Sequence, residues 1–237
     1  MRIKAMIFAA GLGTRLYPLT ANRPKALVRM NGIPLLQHVL DKIIAAGIDD
    51  IVVNVHHFPD QIMDFLKGHP FQADIRISDE RAYLRDTAGG LKFAEPFLDG
   101  CDTILLYNTD IITTLSIPDL IAHHEKSGAD VTLAVRNRKT QRYFVFEEED
   151  LRLCGWRNLA NGQEIMPRNA NHPVELAFSG IHLVNRDFLS HIPTVEMLSL
   201  TPLYLQLVNN LCIKGYQHDS DDWMDIGKYK EYSNILS

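Results

Sequence analysis

The apolar run Met6-Ile7-Phe8-Ala9-Ala10 stops abruptly at Gly11-Leu12-Gly13-Thr14-Arg15, and Pro24-Lys25 follows an irregular stretch. Two glycines at the end of a strand let the backbone reach positive φ and present N–H groups at close range, an arrangement suited to an anion. Arg15 adds a planar fork for bidentate contact with phosphate, and Lys25 a compact charge. Ala10, Gly11, Leu12, Gly13 and Thr14 are therefore candidate nucleotide contacts, Arg15 and Lys25 candidate catalytic cations, and the anion they suit is a triphosphate. The better-known glycine signatures are absent: no Gly-Lys-Ser/Thr closes the loop, and Leu16 stands where a dinucleotide fingerprint has its third glycine.

Two carboxylates complete the set. An apolar strand from residue 103 ends in Asn108-Thr109-Asp110, at the same sheet edge as the glycine loop. Mg²⁺ takes one or two carboxylates together with phosphates and water, so Asp110 beside a triphosphate is a candidate metal ligand and Asn108 a candidate nucleotide contact. Near the other end, Asp219, Asp221, Asp222 and Asp225 crowd around Trp223. A solvated loop accounts for the first three. Asp225, flanked by Trp223, Met224 and Ile226, is the candidate second ligand.

These groups need a scaffold that delivers them to one edge. Residues 26–30 read as a short strand closed by Asn31-Gly32, and residues 34–46 as a helix with apolar positions at helical spacing, stopped by Gly47. A buried strand at 51–55 completes a βαβ unit and implies a parallel sheet. The alternation continues with a helix at 60–68, a strand at 73–78 and a helix at 91–97 opened by the glycine turn Asp86-Thr87-Ala88-Gly89-Gly90. Free N–H groups at that helix start suit another anionic or hydroxylated ligand. His56 and His57 fall at the carboxyl end of a strand, and polar turn residues are their plainer reading.

Further on, residues 131–135 read as a strand, and 143–146 with 151–156 as antiparallel neighbours across an acidic turn. Residues 158–173, rich in Asn, Gly and Pro, read as a surface loop. The strand at 175–184 contains Ser179-Gly180, a close approach or a bulge. Helices are expected at 202–213 and 228–236.

Composition narrows the partners. The chain has 237 residues, 46% hydrophobic and 22% charged, with a formal charge of −5, so phosphate must be met by local cations; neither nucleic acid nor a membrane surface is an expected partner. Cys101, Cys154 and Cys212 form no C-x-x-C pair, which argues for a reducing, cytoplasmic compartment without a disulfide framework or zinc site. One domain over residues 1–237 is expected.

With the glycine loop, Lys25, Asp110 and Asp225 in hand, the sequence resembles the sugar-1-phosphate nucleotidylyltransferases. Gly11-Leu12-Gly13-Thr14-Arg15-Leu16 with Pro24-Lys25 looks like their signature. Asp86 to Gly90, Asn108-Thr109-Asp110, Phe178-Ser179-Gly180 and Trp223-Met224-Asp225-Ile226-Gly227 follow in the family's order. The resemblance implies an α/β, Rossmann-like fold of the GT-A type, with a mixed, mostly parallel central sheet flanked by helices. It implies Mg²⁺ on Asp110 and Asp225, a nucleoside triphosphate on the glycine loop, and a sugar 1-phosphate near Thr87, Gly89, Gly90, Glu175 and Gly180. The small members it resembles imply UTP with an aminosugar or muramate 1-phosphate, with GTP and mannose 1-phosphate, or CTP and phosphocholine, as other pairs. A monomer or homodimer without a C-terminal β-helix domain is expected. Two departures stand out: residues 80–86 lack the Glu-x-Pro-Leu-Gly form common in relatives, and no Glu-Lys-Pro stands in the middle region. A GT-A glycosyltransferase, suggested by Asn108-x-Asp110, would need no cradle for β- and γ-phosphates; a non-catalytic nucleotide-sugar sensor would need neither both cations nor both carboxylates.

Overall fold

Strands that are apolar on both faces must be covered on both faces, and a layer of helices on each side is the usual solution. The computed structural model describes residues 1–194, 197–227 and 234–236. β1 (Ile3–Phe8) leads through 3-10 turns at Thr14–Leu16 and Lys25–Leu27 to the small ribbon β2 (Arg29–Met30) and β3 (Ile33–Pro34). Then come α1 (Leu35–Ala45), β4 (Asp50–Val55), α2 (Pro59–Gly68), β5 (Asp74–Asp79), α3 (Asp86–Phe93), β6 (Thr103–Asn108), β7 (Ile111–Thr113) and α4 (Ile117–Ser127). The second half supplies β8 (Val131–Arg136), β9 (Arg142–Glu147), β10 (Leu153–Asn158), β11 (Gln163–Ile165), β12 (Pro173–Asn185), α5 (Leu200–Leu207), β13 (Ile213–Gln217) and β14 (Trp223–Asp225).

β6, β1, β4 and β5 run parallel, so the loops after β1 and β6 emerge at one edge. β12 joins β6 antiparallel, and β9, β10 and β11 continue the sheet beyond it, while β8 pairs with β12 and carries β13. Alternate residues of β1 feed opposite cores. Met6 and Phe8 pack with Leu91 of α3 and Leu203 of α5, and Ala5 and Ile7 with Val39 and Ile43 of α1 and Leu120 of α4. A third, smaller cluster holds Leu16, Val28, Leu35 and Ile226 beneath the glycine loop.

Several expected boundaries move. Residues 26–30 divide into the 3-10 turn Lys25–Leu27 and the two-residue β2, because the chain must turn to deliver Lys25. The helix expected at 91–97 begins earlier, at Asp86, and ends at Phe93, with Pro96 in a following 3-10 turn at Glu95–Phe97. The loop expected at 158–173 contains β11, which pairs with β10. The helix expected at 202–213 is α5, Leu200–Leu207, and Ile213 opens β13 instead. The closing helix expected at 228–236 lies largely outside the described residues; within it, Leu236 bridges to Met30.

Candidate active site

The glycine loop is held from the strand next door. Asn54 of β4 accepts the N–H groups of Ala9 at 2.7 Å and Ala10 at 3.2 Å, and its amide donates to Glu80 at 2.8 Å. Glu80 is buried, and burial pushes its carboxyl up despite the bond from Asn54. Gly13 sits at φ +66°, where a Cβ would lie 2.9 Å from Thr20 Cγ2 and 3.0 Å from Lys25 Cβ. A side chain there would be strained and would collide with the segment that carries Lys25.

Lys25 Nζ lies 3.0 Å from Asp110 Oδ2, and Arg15 Nη2 lies 3.9 Å from the same oxygen. The two cations differ in freedom: the Arg15 side chain is 64% exposed and Lys25 15%. Thr109 donates its hydroxyl to the carbonyl of Phe8, tying the end of β6 to the end of β1. Asp225 arrives from far along the chain because β14 pairs antiparallel with β7, setting Asp225 opposite Ile111, and Ile226 N–H donates to Asp110 O at 2.9 Å. Leu16 and Ile226, neighbours of Arg15 and Asp225, are buried in the same small cluster. A Cβ built on Gly227 would lie 2.8 Å from Asp225 Oδ1 and 2.9 Å from both Arg15 Nη2 and Asp110 Oδ2. Two carboxylates and a guanidinium thus crowd around one point, too closely for a methyl group to fit there.

Burial pushes the Asp110 carboxyl up, but the Lys25 ammonium, with help from Arg15, outweighs it and holds the group below the usual carboxylate range. Asp225 goes the other way. Burial raises it, the charge of Asp110 adds to the rise, and Arg15, the Gly227 N–H and Lys25 offset only part.

Two cavities meet at this pair. The first, ≈ 320 Å³, is lined by Gly11, Lys25, Glu80, Thr87, Asn108 and Asp110 among others. The second, ≈ 630 Å³, is lined by Arg138, Lys139, Arg142, Phe144, Trp156 and Asp225, with Phe178 at its wall. A ≈ 180 Å³ hollow joins them, sharing Asn108 and Asp110 with the first, Arg138 and Asp225 with the second, and Arg15 with both.

Most of the residues expected at the site converge on this trough. Ala10, Gly11, Arg15, Lys25, Asn108 and Asp110 line the first cavity, and Asp225 and Gly180 line the joint. Gly180, at φ +79° in a register shift of β12, has Asn108 Nδ2 at 3.0 Å and Ile111 Cγ1 at 2.6 Å from its Cβ position. Leu12 instead turns outward and is exposed. Thr87, expected against the sugar phosphate, lines the first cavity, and its hydroxyl accepts the N–H of Leu200 at 2.9 Å. Gly89 and Gly90 are buried inside α3. The N–H groups of Ala88 and Gly89 bond to Leu198 O, so that helix start is not free for a ligand, and Gly90 makes room for Glu80 and Asn54. Glu175 lines neither cavity: it is held by Arg157 at 2.6 Å.

Asn54, Arg138, Lys139, Arg142 and Trp156 were not singled out from the sequence. The signal for the cations was Arg136-Asn137-Arg138-Lys139, a basic run directly after an apolar strand in an acidic chain. Arg138 stacks 4.3 Å over the Trp223 ring and donates to Phe178 O at 3.1 Å, which turns it toward the joint.

The acidic pair fits a hard divalent cation. Its donors are carboxylate oxygens gathered at one point, and no group of three or more His, Cys, Asp or Glu side chains placed to hold a metal ion occurs among the described residues. Remaining ligands would come from phosphate and water, as Mg²⁺ prefers.

What the sheet edge and this trough define is an α/β protein with two cations and two carboxylates gathered where two cavities adjoin. The chain belongs to the nucleotidyl transferase family: residues 4–237 match the family profile described as Nucleotidyl transferase. It is 31% identical to a mannose-1-phosphate guanyltransferase of Aspergillus oryzae, over 97% of this chain and 62% of that protein. It therefore spans less than two thirds of that relative's length. It is 32% identical to an N-acetylmuramate alpha-1-phosphate uridylyltransferase of Caulobacter vibrioides, over 94% of this chain and 91% of the relative. A UDP-glucose pyrophosphorylase solved with UDP-glucose shares the fold, with TM-score 0.79 at 14% identity, covering 99% of this chain and 97% of that one. Among the described residues, no helix is long and apolar enough to cross a membrane.

Proposed function

We propose that this protein catalyses Mg²⁺-dependent transfer of a nucleotidyl group from a nucleoside triphosphate to a sugar 1-phosphate, releasing pyrophosphate. The observation that carries the reading is the convergence of Arg15, Lys25, Asp110 and Asp225 where the two cavities meet. The triphosphate occupies the first cavity, its phosphates against the backbone of Gly11 and Gly13, and the sugar 1-phosphate occupies the second.

An oxygen of the sugar phosphate forms the new bond to the α-phosphorus as the α–β bridge breaks, and pyrophosphate leaves with the electron pair. The nucleophile is already ionised near neutral pH, so the protein need not supply a general base. The obstacle is repulsion between two polyanions. Asp110 and Asp225 would hold Mg²⁺, which supplies positive charge between the reactants. Lys25, fixed by Asp110, and the freer Arg15 stabilise charge on the transferring and departing groups.

UTP with an aminosugar or muramate 1-phosphate is the first pair to test, supported by the relative of similar length; GTP with mannose 1-phosphate is the second, supported by the longer relatives. The test is pyrophosphate release across four triphosphates and a panel of hexose, aminosugar and muramate 1-phosphates, with phosphocholine included. One pair is expected to dominate. Turnover of a nucleotide sugar as glycosyl donor, with no pyrophosphate from any pair, would overturn the proposal.

A further inference from the structure

The second cavity is roomier and more cationic than one phosphorylated hexose requires. It has about twice the volume of the first, ≈ 630 against ≈ 320 Å³, and four cations line it, Arg15, Arg138, Lys139 and Arg142, against the single carboxylate of Asp225. Those cations fall into two groups. Arg15 and Arg138 also line the joint with Asp225, whereas Lys139 and Arg142 do not, so the latter pair stands at the far end from the reacting phosphates.

That far end is built on β9 and β10. Arg142 and Phe144 are two residues apart on one strand and share a face, and Trp156 of β10 is paired directly opposite Phe144. The aromatic side of the cavity, Phe144 and Trp156, thus continues, one strand repeat of about 7 Å further on, into a guanidinium. Other arginines here are neutralised. Arg157, next along β10 and on the opposite face, is clamped by Glu164 and Glu175, and Arg186 by Glu95 and Asp99. The side chains of Lys139 and Arg142 have no ion-pair or hydrogen-bond partner among the described residues. Uncompensated like charges repel one another, and an anion placed between them relieves that repulsion.

Resting on the nucleotidyl-transfer reading, we infer that the acceptor carries a second anionic group on the sugar, remote from its anomeric phosphate, and that Arg142 with Lys139 selects for it. A carboxylate and a second phosphate share this chemistry, and the choice of acceptors separates them.

The experiment measures kcat/KM by pyrophosphate release for matched acceptors. They are N-acetylglucosamine 1-phosphate against its 3-O-carboxyethyl ether, glucose 1-phosphate against glucuronate 1-phosphate, and glucose 1-phosphate against glucose 1,6-bisphosphate. At least one anionic acceptor is expected to exceed its neutral parent by roughly tenfold to a hundredfold, the size of one or two charge-assisted hydrogen bonds. Arg142→Gln is expected to narrow that ratio about tenfold, mainly through KM, with Lys139→Gln narrowing it less and Arg142→Lys retaining part of it. Both side chains are exposed, so these variants fold. Neutral parents used as well as every anionic partner, or a ratio unmoved by both substitutions, would overturn the inference while leaving nucleotidyl transfer intact. Absence of pyrophosphate with any acceptor would overturn the transfer reading itself.

Discussion

At the scale of single residues the site is a charge balance held by few bonds. Lys25 is the fixed member: its ammonium touches Asp110 and keeps that carboxyl ionised in a buried position. Lys25→Ala should lower kcat about 100-fold, the usual effect of losing one electrostatic donor, as steady-state kinetics would show. Asn54 acts at one remove. It binds the backbone of Ala9 and Ala10 on one side and the buried Glu80 on the other, so Asn54→Ala leaves Glu80 Oε1 without its donor and loosens the start of the glycine loop. Expected are a loss of about 1–3 kcal/mol in urea unfolding and a raised KM for the triphosphate; unchanged values of both would refute this role.

At the scale of elements, the carboxylates meet because short pieces are pinned together. β14 reaches β7 by only a three-residue pairing, and the β12 shift at Gly180 lets Ile111 and Asn108 approach. Gly180→Ala combines a positive φ with contacts as short as 2.6 Å, so it should lower the Tm by several degrees and reduce activity with it, as a thermal melt and assay in parallel would show. Much of this scaffold was legible in the sequence. The βαβ alternation, the glycine loop, Asp110 at a strand end and Asp225 in an apolar run each announce themselves by local pattern. What was hidden depends on partners distant in the chain. β13 contains Gly215, a residue that weakens a strand signal, yet a Cβ there would stand 3.3 Å from Phe146 and 3.2 Å from Val135. The glycine is there for packing that no window of sequence displays. Glu175 reads as available in the sequence, but Arg157 of β10, across the intervening β9, occupies it; Gly89 reads as a loop glycine, but Leu198 takes its N–H.

At the scale of the whole molecule, a net charge of −5 coexists with a cationic trough, so the phosphate affinity proposed for it would be local and should weaken with salt less steeply than in a generally basic protein. The fold also carries a built-in acid sensitivity. His182 of β12, with Tyr204 Oη of α5 at 2.9 Å from its Nδ1, is buried, and burial pushes its pKa down to about 3. Between that value and about 6.5 the unfolded chain binds a proton that the folded one refuses, so stability is complete above this window and is lost as pH falls through it. Burial lowers His123, His124 and His218 in the same sense. Urea midpoints should fall from pH 7 to 4.5, and His182→Asn should flatten that slope; an equal slope in the variant would argue against this assignment.

The proposed function depends on Asp110 and Asp225 acting together between the two cavities. The direct measurement is the rate of Mg²⁺-dependent pyrophosphate formation from triphosphate and sugar 1-phosphate in the wild type, Asp110→Asn and Asp225→Asn, with thermal melts confirming folded protein. The arrangement predicts a loss of roughly 100- to 1000-fold in each variant and no activity without the metal. Full activity in either folded variant, or turnover indifferent to chelation, would contradict it.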